Sequence, residues 1–388
     1  MENNITINNR IPQLRFPGYT GDWEEKSFDV ICHTITPPLK LQSSQYSSSG
    51  KFPIVDQSQT LICGWTNDSS GLLRNTPYII FGDHTCVLKY IDFPFIQGAD
   101  GVKILGSNKK DNSKFIYQLL LSNPVKQDGY KRHFSDLKEK IFLLPPTLEE
   151  QTKIAECLSS IDEIISVEES KVESLKAHKK GLMQQLFPQP GATTPALRFP
   201  GFTGEWEEKT LGEVATSFSG GTPKSGESRF YGGPIPFIRS GEIHGNKTEL
   251  FITEDGLKNS SAKLVKKGDL LFALYGATSG EVDLSKIEGA INQAILCIRS
   301  EVIDTCFLYN YLLHRKDYIT SHFLQGGQGN LSSDIIMSLA IPFPPFAEQQ
   351  KVASCLTEMD NIISAQEHRV ESLKAHKKGL MQQLFPQL

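Results

Sequence analysis

The segment VESLKAHKKGLMQQLFPQ occupies residues 172–189 and returns letter for letter at 370–387. Each copy ends a longer amphipathic run: EEQTKIAECLSSIDEIIS begins at Glu149 and AEQQKVASCLTEMDNIIS at Ala347. In the first run, Leu148, Ile154, Leu158, Ile161, Ile165, Val172, Leu175, Leu182 and Leu186 recur at three- to four-residue spacing. That spacing predicts a helix from about 147 to Phe187, roughly 60 Å long, with one coiled-coil-like apolar seam. Pro145 and Pro146 are tolerated at its entry, and Pro188 stops it. Its twin runs from about 346 to Phe385. Two such seams must be buried, and pairing them antiparallel with a globular domain at each end does this without knots.

A second signature precedes each domain. LRFPGYTGDWEEK starts at Leu14 and LRFPGFTGEWEEK at Leu197. Its Pro, Gly and aromatic content predicts a turn-rich segment whose rings dock elsewhere. Glu24-x-Lys26 and Glu207-x-Lys209 lack the upstream acidic partner of a nuclease metal site, so they read as structural. Between the repeats lie two inserts with little mutual likeness. FPIVDQS, TLICGW, PYIIFGDHTCVLKY and GVKIL in the first read as short strands. SKFIYQLLLSN (113–123) reads as a helix, with Ser135 the expected N-cap of a shorter one. In the second insert, PIPFIRS, LVKKGDLLFALYGATSGEV and GAINQAILCIRS read as strands between Gly-rich loops, and FLYNYLLHR (307–315) as the matching helix.

Composition narrows the function. A chain of 388 residues exceeds one ordinary core, and 39% apolar with 22% charged residues describes a globular protein. No apolar run approaches a membrane span, and the N-terminus lacks a signal-peptide core. Seven cysteines without a CxxC pair argue for a reduced, cytoplasmic protein with no zinc site. The net charge of −4 means that any nucleic-acid contact relies on local positive charge. Catalytic motifs are missing. Asn75-Thr76-Pro77-Tyr78 and Phe343-Pro344-Pro345-Phe346 both fall short of an adenine-methyltransferase Asn/Asp-Pro-Pro-aromatic motif. Gly221-x₄-Gly226 has Glu227 where a phosphate loop has lysine, and no HExxH or nucleophile elbow occurs.

In family order, IPFPPFAEQQKVASCL, SGGTPKSG–YGGPIPFIRSGEI, LVKKGDLLFALYGATSGEV, AINQAILCI and VDQS–FGDHT–QGADGVKIL resemble the DNA-specificity subunit of type I restriction–modification systems. The resemblance runs from about Leu14 to Phe385. It implies an α+β fold with a pseudo-two-fold internal repeat. Two α/β target-recognition domains (14–146 and 197–345) would be separated by two long antiparallel spacer helices (147–188 and 346–388), with a linker at 189–196. It also implies a bipartite, asymmetric site on double-stranded DNA, two modification (methyltransferase) subunits and motor-nuclease restriction subunits. S-adenosylmethionine, ATP and Mg would belong to those partners; none is expected on this non-catalytic chain, nor is a membrane. A two-domain protein-binding scaffold without DNA contact is the alternative, separable by salt-sensitive DNA retention.

Direct readout favours polar side chains on loops. In the first domain these are Gln57, Ser58, Gln59, Arg74, His84, Lys131, Arg132 and His133. In the second they are Thr222, Lys224, Ser225, Arg239, Tyr275, Thr278, Asn292, Gln328 and Asn330. The loops around 130–133 and 328–330 read as equivalents with different chemistry. Lys103, Lys109, Lys110, Lys114, Lys263, Lys266 and Lys267 are expected phosphate contacts. Each of these residues could equally be a solvated or turn residue satisfying its own backbone.

Overall fold

The computed structural model describes residues 10–129, 131–324 and 330–386. Two 39-residue helices, Leu148–Leu186 and Phe346–Leu384, match the repeated runs within two residues at each end. The chain forms two compact units, one up to Glu169 together with His368 onward, the other Ser170–Glu367. The unit boundaries therefore fall in the middle of both long helices rather than at the ends of the inserts.

Within the first unit Asp162 pairs with Lys377 and Glu169 with Lys374, so one helix ascends in number as the other descends: the segments are antiparallel. The second unit repeats this with Lys179–Asp360 and Lys176–Glu367. Ile154, Leu158, Ile165 and Val172 of the expected seam are buried. Leu148 is not; it is 47% exposed, as is its repeat equivalent Phe346 at 48%. Both sit in the first helical turn, outside the seam.

The two inserts have the same topology despite their unlike sequences. In the first domain, Cys32–Ile35, Val102–Ser107, Tyr78–Gly82 and Leu88–Ile91 form an antiparallel sheet in that spatial order. A second sheet runs Gly64–Thr66, Phe52–Val55, Phe95–Gln97, Leu72–Leu73, with Phe52–Val55 parallel to Phe95–Gln97. The second domain places Thr216–Ser219, Ile295–Arg299, Leu270–Ala273 and Val282–Leu284 in the first order. It places Leu250–Ile252, Tyr231–Ile238, Gly289–Ile291 and Lys263–Val265 in the second, again with one parallel pair.

The helices of the inserts correct two expectations. Ser113–Ser122 begins as predicted, with the Asn112 side chain accepting from the Phe115 N–H. The short helix Phe134–Lys138 is capped at His133, not Ser135, and His133 makes no side-chain cap bond. The helix expected at 307–315 runs Thr305–Leu324, because Ile319 continues the apolar face and is buried.

The duplicated LRFPG signature clasps the start of a long helix. Arg15 donates through Nε and Nη2 to the buried Glu150 carboxylate at 2.8 Å each, and its Nη1 caps the Gly21 carbonyl. Arg198 does the same to Glu348 at 2.7 and 2.8 Å. The tail of the signature becomes a strand: Glu24–Ser27 pairs with Ile141–Leu144, and Glu207–Thr210 with Ala340–Phe343. Trp23 packs edge-on to Phe115 and Phe385, while Trp206 and Phe187 both pack on Phe307. Burying each such ring contributes about 2–3 kcal/mol.

Candidate nucleic-acid interface

Strand direction gathers a set of loops at one end of each domain. In the first domain, Phe52–Val55, Phe95–Gln97 and Tyr78–Gly82 all end there, so the turns after Val55, Gln97 and Gly82 meet. The Asp83 N–H donates to the Gly101 carbonyl, and the His133 N–H to the Asp83 carbonyl. Gln57 is the centre of this cluster. Its Oε1 accepts from the His84 N–H at 3.2 Å, and its Nε2 donates to the Asp100 carbonyl. Gly101, at φ +82°, leaves room for that amide, since a Cβ there would lie 2.6 Å from Gln57 Nε2. His84 Nδ1 lies 3.1 Å from the Lys131 carbonyl. Beneath, the buried Lys89 donates to the Asp56 carbonyl at 2.7 Å and to the Thr60 carbonyl, fixing the turn that carries Gln57, Ser58 and Gln59. Burial lowers the Lys89 pKa, with Asp56 acting against it.

The second domain builds the same end. Asn292 donates its N–H to the Ile238 carbonyl, as Gly98 does to Val55, which aligns Arg239 with Asp56. Leu331 N–H donates to the Leu274 carbonyl, as His133 does to Asp83. Arg239 is held on two sides: its Nε lies 3.0 Å from Glu242 Oε2, and its Nη2 lies 2.7 Å from Glu249 Oε2. Those hydrogen bonds raise the Arg239 pKa further. Burial would raise that of Glu242, but bonds from Arg239 and the Glu249 N–H hold it low. Thr222 donates to Gln293 Oε1 beside Asn292, and the Thr278 hydroxyl is buried with no partner among the described residues.

The remaining predicted residues divide. Lys131 and Arg132 are exposed on the loop end, as is Asn330. His133 is corrected: its ring is fully buried, its Nδ1 3.2 Å from Asp136, and it occupies the core position that Leu331 fills in the other domain. Arg74 follows Leu72–Leu73, which runs antiparallel to Phe95–Gln97, so it lies at the far end of the strands. Lys224 and Ser225 are exposed on the loop after Thr216–Ser219, with Lys224 near Glu227. Tyr275 is half-buried against the core. Gln328 lies outside the described residues. Of the lysines, Lys103 and Lys263 are at the loop end, whereas Lys109, Lys110, Lys266 and Lys267 are at the other end of the strands. Lys114 lies over the Tyr90 ring.

Sequence reading missed Lys40, which bridges to Gln97 and approaches Asp100, and Gln293 and Glu249. Only the second-domain motif PIPFIRSGEI, placed at a strand end, signalled where Arg239 would be found. Among the described residues no group of three or more His, Cys, Asp or Glu is placed to hold a metal, and no helix is long and apolar enough to cross a membrane.

A family model described as the type I restriction modification DNA specificity domain matches residues 20–177 and again 203–375. The chain belongs to that family. A similar relative is the EcoR124I/EcoR124II type I restriction enzyme specificity subunit of Escherichia coli, 25% identical over 84% of this chain and 83% of the relative. Another is the MjaVIII specificity subunit of Methanocaldococcus jannaschii, 26% identical over 75% of this chain and 73% of the relative. The crystal structure of the type I restriction–modification S subunit from M. genitalium superposes with a TM-score of 0.63, covering 97% of this chain and 99% of that one at 19% identity. As a specificity subunit, the chain is a non-catalytic component of a restriction–modification system.

Proposed function

We propose that this subunit reads a bipartite, asymmetric site on double-stranded DNA, each domain contacting one half-site through its loop end. The observation that carries this is the shared strand order: it presents the same loops in each domain but arms them with different side chains, Gln57 and His84 in one and Arg239 and Thr222 in the other. The helices would act as the spacer and dock two modification subunits, with motor-nuclease subunits joining for cleavage. Those partners would bring S-adenosylmethionine, ATP and Mg. Support for duplicate docking comes from Ile164 and Ile362, exposed at 46% and 50% at equivalent repeat positions.

Exchanging residues 28–146 for another recognition domain tests the reading. Methylated motifs sequenced from cells carrying the hybrid complex are expected to change in one half-site only. A motif changed in both halves would refute modular reading. Absence of salt-sensitive DNA retention by the wild-type complex would favour the protein-binding scaffold.

A further inference from the structure

We infer that Arg239 reads a guanine in the half-site contacted by the second domain, an inference that rests on the DNA-reading role just proposed. Arg239 directly follows the strand Tyr231–Ile238, at the loop end, and is 39% exposed in its side chain. Glu242 engages Nε and Glu249 engages Nη2, so two carboxylates fix the plane of the guanidinium. Nη1 has no partner among the described residues, and with the second N–H of Nη2, whose first goes to Glu249, it makes the fork that matches guanine O6 and N7 in the major groove.

The charge around the fork chooses between base and phosphate. One cation flanked by two carboxylates carries a net charge of −1, which repels a phosphate but not the neutral acceptor edge of a base. Glu242 is mostly buried and Glu249 is 82% exposed, so the first anchors the arginine while the second aims it from the solvent side. The aligned position in the first domain is Asp56, which caps the Ser58 N–H at 2.9 Å. A purely structural position would resemble the clasps, where both domains keep Arg and Glu. Here the charge is reversed between the domains, which fits a position whose partner differs between the two half-sites.

The test uses the whole complex with its modification subunits, and duplexes carrying its methylation motif. Each guanine of the half-site that survives exchange of residues 28–146 is replaced in turn by 7-deazaguanine, which lacks the N7 acceptor. One replacement is expected to weaken wild-type binding about tenfold. The Arg239→Met complex, which has neither donor nor charge at this position, is expected to bind the parent duplex correspondingly more weakly and to show no further loss with that analogue. Should Arg239→Met fail to assemble, Glu249→Gln carries the test: loosening the fork must shrink the penalty of that one analogue and leave the others unchanged. A half-site with no analogue-sensitive guanine overturns the inference, as does sensitivity undiminished in the variants. Equal weakening on every duplex, with a shallower salt dependence, would instead make Arg239 a phosphate contact. Failure of the DNA-reading role itself would show earlier, as a wild-type complex that prefers no sequence.

Discussion

Glu150 and Glu348 show how a repeated side chain acquires unequal weight. Glu348 accepts from Arg198 and also from the Trp206 indole N–H at 3.1 Å. Among the described residues Glu150 accepts from Arg15 alone, and the buried Trp23 indole N–H has no partner. Removing one member of a buried ion pair costs about 3–5 kcal/mol, because the other charge is stranded. Glu348→Ala also strands an indole donor, worth about 1 kcal/mol more. Urea unfolding should therefore show the larger stability loss for Glu348→Ala than for Glu150→Ala; equal losses would rule out a contribution from the indole bond. The sequence showed the docking aromatics but not these pairs, since Arg15 and Glu150 lie far apart along the chain. The usable sign was that both copies keep Arg in the clasp and Glu-Gln at the helix entry. Gln151 and Gln349 are buried there too, accepting from the N–H groups of Asn112 and Asp304, which open the insert helices.

At the scale of elements, the apolar spacing located both long helices but could not give their mutual register, because a seam of similar residues packs nearly as well one turn along. The register is pinned by polar pairs. Lys377 reaches both oxygens of Asp162 at 2.7 and 2.8 Å, and Lys179 reaches those of Asp360 at 2.7 Å, with both lysines largely buried. Gln118, from the first insert, donates to the same Asp162 at 2.9 Å, whereas the shorter Asn310 of the second insert turns to the Cys306 carbonyl instead. Asp162→Lys sets two lysines together and should destabilise the first unit by about 2 kcal/mol. Adding Lys377→Asp should restore most of that, because Gln118 Oε1 is unpartnered and a flipped amide can accept from the new lysine. A double variant no more stable than the sum of its single losses would show that the pair does not specify register.

For the whole molecule, the duplicated ends were legible and the likeness of the inserts was not. Strand runs identify strands, yet pairing order depends on contacts between distant segments that no local pattern encodes, so two inserts of unlike sequence concealed one topology. The loop end was equally hidden: Gln57, His84 and Lys131 come together only once the strand directions are known. The duplicated ends also close the chain on itself. In the second unit Leu197 N–H donates to the Gln185 carbonyl at 2.9 Å, across a covalent linker. In the first unit Leu14 N–H donates to the Gln383 carbonyl at 3.0 Å, with no covalent link between them. The first joint therefore already holds through the Arg15–Glu150 clasp, the Trp23–Phe385 contact and this one backbone bond. The second joint owns the same set in Arg198–Glu348 and the packing of Phe187 and Trp206 on Phe307. Cutting the chain within 189–196 and joining the old termini through an equivalent linker should exchange the roles of the two joints and nothing else. The permutant is expected to fold, and, with the proposed modification subunits, to support methylation of the wild-type motif. An insoluble permutant, or a soluble one with an altered motif, would mean that the covalent linker contributes something the clasp does not.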